Sequence, residues 1–122
     1  MKITVSMRNQ IVVVVVSGRV DALTSKDLLA KLEQEINAGN HRLVVDLHHV
    51  DFMSSAGVQA LLTAARAARE QAGDLCMVGA QPNVERVFDL SGLTNFAHVY
   101  PDVDAAIAML HFHRARTSHE KE

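Results

Sequence analysis

Residues 11–16 read IVVVVV, six β-branched positions with no polar residue among them. Such side chains favour strands. A strand with no polar face is covered on both sides, which predicts a central place in a layered sheet. The preceding MKITVSM is a second strand candidate, and polar Arg8, Asn9 and Gln10 between the two predict a hairpin. Gly18 and Asp21 are expected to end the second strand. Thr24-Ser25-Lys26-Asp27 resembles a capping box. It would open a helix with an apolar stripe of Leu28, Leu32 and Ile36, flanked by Leu29 and stopped at Gly39.

The alternation continues. Leu43 to Leu47 predicts a third strand, followed by the corner MSSAG at 53–57. Val58, Leu61, Leu62, Ala65 and Ala68 then recur with helical spacing, while Arg66, Arg69 and Glu70 fall elsewhere, and Gly73 ends the helix. Leu75 to Val78 reads as a fourth strand. Pro82 suits a first helical position before Val84, Val87 and Phe88, with Gly92 as the stop. Phe96 to Tyr100 predicts a last strand, and Pro101 and Asp102 open a final helix carrying Val103, Ile107 and Leu110. Strands alternating with helices argue for an α/β layer structure. The domain is expected over residues 1–112, with a polar, frayed tail at 113–122.

Composition narrows the classes. The 122 residues are 48% hydrophobic and 21% charged, as in a soluble globular chain long enough for one core. A net charge of −2 carries no basic surplus for nucleic acid or an anionic membrane. Cys76 is the only cysteine, so no disulfide framework exists and a reducing compartment fits. The first ten residues lack the apolar core of a signal peptide, and no apolar run approaches the roughly 20 residues of a spanning helix. A cytoplasmic protein is expected.

The chemistry concentrates at Ser54 and Ser55. A nucleophile elbow requires G-x-S-x-G, but Phe52 and Met53 precede these serines and no histidine is placed beside them. A phosphate could rest on the N–H groups of the helix start, yet no glycine-rich phosphate loop is present and Gly57 stands alone. One serine is explained as an N-cap. A covalent phosphate on Ser55 also fits, since a helix start tolerates two added negative charges that would then oppose docking of a partner. Adjacent His48 and His49 point to opposite faces of an extended chain, and with His111 and His113 they lack a third ligand for a metal. Cys76 reads as a small buried hydrophobe. Phe88, Leu90 and Leu93 read as core or its rim, with an exposed pair extending a docking surface.

VSGRVD at 16–21, VVDLHHVDFMSSAG at 44–57 and NVERVFDLSGLTNFAHVYPDVDAAIAML at 83–110 together resemble the STAS domain, most closely the stand-alone bacterial anti-sigma factor antagonists. The resemblance covers residues 3 to 110. It implies a single domain with a mixed central sheet of about five strands and about four helices largely on one face. It also implies a protein-binding switch without catalysis, cofactor or metal. In that family the unphosphorylated antagonist binds an anti-sigma factor, often a serine kinase, and frees a sigma factor. The kinase phosphorylates one serine and ends the complex, and a serine phosphatase restores it. Aligned on Gly57, the family's D-S-[ST]-G motif places the modified serine at Ser55, with Ala56 next and Ser54 in place of the aspartate. Ser54 is then a second candidate acceptor, and Asp21, in the match to G-x-[LV]-D, a partner contact or a plain turn aspartate. Two other readings stay open: a permanent STAS subunit of a transporter or stressosome-like assembly, and an anion- or nucleotide-binding module.

Overall fold

The computed structural model describes residues 1–120, with side chains through His111. Its elements in chain order are β1 (Lys2–Arg8), β2 (Ile11–Val20), α1 (Thr24–Asn37), β3 (Arg42–Met53), α2 (Ser55–Glu70), β4 (Asp74–Val78), α3 (Pro82–Ser91), a 3₁₀ turn (Leu93–Asn95), β5 (Val99–Tyr100) and α4 (Val103–Glu120). Helix α4 runs past the domain limit expected at residue 112, and the side chain of His113 lies outside the described residues. Among the described residues, no helix is long and apolar enough to cross a membrane.

The sheet order is β1-β2-β3-β4-β5, antiparallel between β1 and β2 and parallel thereafter. Asn9 and Gln10 both take positive φ (53° and 69°) in the two-residue turn that joins the first pair. This left-handed turn matches the twist of a hairpin. Lack of alternation in β2 has the expected cause. Val12, Val14 and Val16 pack in the layer under α1, α2 and α3, while Ile11 and Val13 face α4. The strand is interior, but β3 rather than β2 holds the middle of the sheet.

Both long strands outrun expectation. β2 continues through Gly18 to Val20, and β3 continues from Leu47 to Met53. Two register shifts, between Val15 and Ser17 and between Gly18 and Arg19, absorb the irregularity and let the strands stay paired up to Val20↔Met53. Such bulges break the alternation that periodicity reads. The last strand is shorter than expected, because Leu93–Asn95 winds into a 3₁₀ turn and only Val99 and Tyr100 pair with β4. Three helices cover one face, and the second face is covered by α4 through Ala106, Ile107 and Leu110.

Helix α2 ends in an unexpected way. The Gly73 N–H donates to Ala68 O (2.9 Å) and the Ala72 N–H to Arg69 O (3.0 Å), a Schellman pattern. The left-handed residue in it is Ala72, at φ 62°, not a glycine. Gly73 is needed for space instead, since a Cβ there would lie 2.0 Å from His41 O. Ala72→Gly should therefore stabilise the domain by about 0.5–1 kcal/mol. Gly73→Ala should destabilise it by about 1–3 kcal/mol through overpacking. Urea unfolding of both variants checks the opposite signs.

Candidate functional site

The corner begins where the β2–β3 pairing stops. The Ser54 N–H donates to Val20 O at 2.8 Å, so the residue that leaves the sheet is still tied to the neighbouring strand. Ser54 is extended (φ −88°, ψ 170°), and its Oγ accepts the Gly57 N–H at 3.3 Å while its carbonyl accepts the Val58 N–H at 3.1 Å. Ser54 is thus the N-cap, half-buried and occupied. Ser55 is the first helical residue and is exposed, and its hydroxyl makes no hydrogen bond among the described residues. Ala56 is partly exposed and Gly57 is buried. A Cβ on Gly57 would lie 2.3 Å from Met53 Sδ and 2.8 Å from Val20 Cγ1, so glycine is what allows α2 to start this close to the strand ends.

Asp21 follows Val20 just as Ser54 follows Met53, so the two loops are neighbours. Its Oδ1 accepts the Leu23 N–H (3.0 Å) and the Thr24 N–H (2.9 Å), and Thr24 Oγ1 accepts the Asp21 N–H (2.9 Å). The Thr24 hydroxyl sits within reach of both Arg19 O (2.9 Å) and Asp21 Oδ1 (3.0 Å) and can donate to one at a time. A reciprocal box does open α1, but it is built from Asp21 and Thr24, three residues before the expected one. Thr24 is already the first residue of α1, and its hydroxyl turns back to Arg19 and Asp21 rather than forward to the helix. The Thr24 N–H and hydroxyl, helped by the Leu23 N–H and the Arg19 charge, hold the Asp21 carboxyl below its usual value of 3.8 against a smaller desolvation effect. Asp21 Oδ2 carries no bond among the described residues.

The surround of this corner was not legible in the sequence. Leu23 is 77% exposed beside Asp21, and the Arg19 guanidinium lies 4.2 Å from the centroid of the Phe52 ring. Between α2 and α3 runs a groove of about 330 Å³ that starts at Ser55 and is walled by Val58, Leu62, Val87, Leu93 and Phe96. Of the three residues expected at the core or rim, Phe88 and Leu93 are buried and only Leu90 is exposed, at 79%.

The remaining candidates separate cleanly. His48 and His49 are both exposed, and His48 Nδ1 lies 2.6 Å from Asp46 Oδ1. No group of three metal-ligating side chains occurs among the described residues. Cys76 is buried, and burial, aided by the Asp74 charge, pushes its thiol up to about 12, which leaves no thiolate at neutral pH.

The STAS domain family matches residues 2–106, and the chain belongs to it. It is 31% identical over 108 residues to a Bordetella bronchiseptica protein named as an anti-sigma factor antagonist, BtrV, covering 88% of this chain and 93% of that one. The crystal structure of an anti-sigma factor antagonist from Mycobacterium paratuberculosis superposes with a TM-score of 0.83 at 26% identity, covering 90% of this chain and 93% of that one. The anti-sigma factor antagonist SpoIIAA in its unphosphorylated form gives 0.78 at 24% identity, covering 90% and 96%, which speaks for the fold alone.

Two measurements follow from the geometry. Ser54→Ala removes a cap and should cost about 1 kcal/mol, whereas Ser55→Ala should stay within roughly 0.5 kcal/mol of wild type in urea unfolding. Asp21 adds stability above 3.8, and that contribution is lost as the pH falls through its lower folded-state value. The stability of wild type relative to Asp21→Asn should accordingly be greatest near neutrality and shrink below pH about 4.

Proposed function

We propose that this chain is an anti-sigma factor antagonist that works by exchange of partners and carries out no catalysis itself. In this reading the unphosphorylated form binds an anti-sigma factor that is also a serine kinase, in the cytoplasm, and so releases the sigma factor or other target that the kinase holds. Phosphorylation of Ser55 ends the complex, and a serine phosphatase resets it. No cofactor takes part.

The observation that carries the reading is the division of labour between the two serines. Ser54 is committed to the cap, its oxygen engaged by the Gly57 N–H. Ser55 stands free at the first helical position, exposed and unbonded among the described residues. A kinase can reach it without unfolding anything. A phosphate there lies at the positive end of α2, where charge is stabilising. The same phosphate sits between Asp21, the exposed Leu23 and the mouth of the α2–α3 groove, so a surface that docks when neutral would have to desolvate a dianion when modified. Asp21 contributes through its unbonded Oδ2, and Ala56 and Gly57 keep the corner low enough for a partner to approach.

The test is incubation with ATP and the serine kinase encoded nearest to this chain in its own genome, with phosphopeptide mapping and pull-down of that kinase. Phosphate should appear on Ser55 and be absent from Ser55→Ala. Ser55→Ala should still be retained by the kinase and Ser55→Asp released. The phosphorylated chain should unfold at a temperature no lower than the unmodified one. Phosphate on Ser54 with none on Ser55, or undiminished binding of Ser55→Asp, would contradict the proposal.

A further inference from the structure

The α2–α3 groove has a second polar end, three turns of helix away from the serine. Its walls are mostly apolar, with the uncharged Gln59 and Ser91 among them, and the charged side chain that lines it is Arg66. Two arginines of α2 crowd Phe96, with Arg69 at 4.2 Å and Arg66 at 5.5 Å from the ring centroid. Their circumstances differ. Arg69 Nε is paired with Asp74 Oδ1 at 3.0 Å, so its charge is answered within the domain. Arg66 is exposed and makes no ion pair among the described residues, and its guanidinium rests against the ring at the groove's end. No carboxylate lines the groove. An aromatic face holds a guanidinium without neutralising it, so the apolar trough ends in an oriented, unanswered cation.

We infer that Arg66 is a specificity-determining contact for the partner that Ser55 regulates. This deepens the proposed function and rests on it. The occupant that fits is an amphipathic helix of the partner, with apolar side chains laid along the groove and one acidic side chain on Arg66. The groove lies between two helices and no residue of the edge strands β1 and β5 lines it, so an added strand has no backbone to pair with there. From Ser55 to Arg66 is eleven residues of α2, about 16 Å of rise, which spans the i, i+4, i+7 anchors of a docked helix and one further turn for the acid. Val58, Leu62 and Val87 supply the apolar surface along its length. The two ends then have separate duties. The Ser55 end decides whether the partner stays, and the Arg66 end decides which partner is accepted.

The test uses the same purified serine kinase and compares wild type with Arg66→Glu, Arg66→Lys and Arg86→Glu. Arg86 is exposed on α3 outside the groove and carries the same charge change without the contact. Arg66→Glu should weaken binding by about tenfold or more, as expected for charge reversal at an ion pair, and raise KM for Ser55 phosphorylation with kcat unchanged. Arg66→Lys should recover part of the loss, and Arg86→Glu should match wild type. Equal affinities for Arg66→Glu and Arg86→Glu would overturn the inference and leave the serine switch standing. If Arg66→Glu weakens binding while Ser55→Asp does not, the groove contact holds and the switch at Ser55 fails.

Discussion

The site depends on one seam, the parallel pairing of β2 and β3. Hydrogen bonding carries it through two register shifts to Val20↔Met53, and the Ser54 N–H closes it on Val20 O. Everything at the corner is placed by that seam. It brings the Asp21 loop beside the serines, and it seats Val20 and Met53 under Gly57, where no Cβ fits. It also makes Ser54, the first residue past β3, both a partner of Val20 O and the cap of α2. Without the seam, two serines at a strand end would be a flexible turn; with it, one is locked and its neighbour is presented.

Rigidity of this kind shapes what a modification can do. Since the Ser55 hydroxyl holds nothing in place, adding a phosphate breaks no bond in the fold, and the positive start of α2 accommodates the charge. The consequence falls on whatever meets the surface. The groove beyond has its own electrostatic feature in Arg66, separated along α2 from Ser55. In the proposed function, a chain of 122 residues would in this way keep one regulatory point at Ser55 and set its choice of partner further along the same helix.

Much of this was legible from residue patterns. The unbroken β-branched run of β2, the apolar face of α2 and the proline at the start of α3 all mark real elements, because burial and helix geometry act locally on them. The place of the serine corner in the fold was legible too, since an apolar strand run gives way there to an amphipathic helix. What escaped has physical reasons. The bulges hid the length of β3, leaving His48–His49 and Asp51–Phe52 as adjacent exposed pairs where alternation was expected. The box that opens α1 pairs Asp21 with Thr24, a combination that ordinary capping patterns do not contain. The stacking of Arg19 on Phe52 and of Arg66 on Phe96 joins residues from different elements, which no local pattern reports.

The central claim is that charge at Ser55 acts on the surface and leaves the seam intact. The direct measurement is amide hydrogen exchange, residue by residue, on the unmodified and Ser55-phosphorylated chains. The account predicts altered protection confined to the start of α2 and the Asp21–Thr24 loop, with β2 and β3 protected equally in both forms. Loss of protection at Val20, Met53 or the Ser54 amide on phosphorylation would contradict it, since the switch would then work by opening the fold.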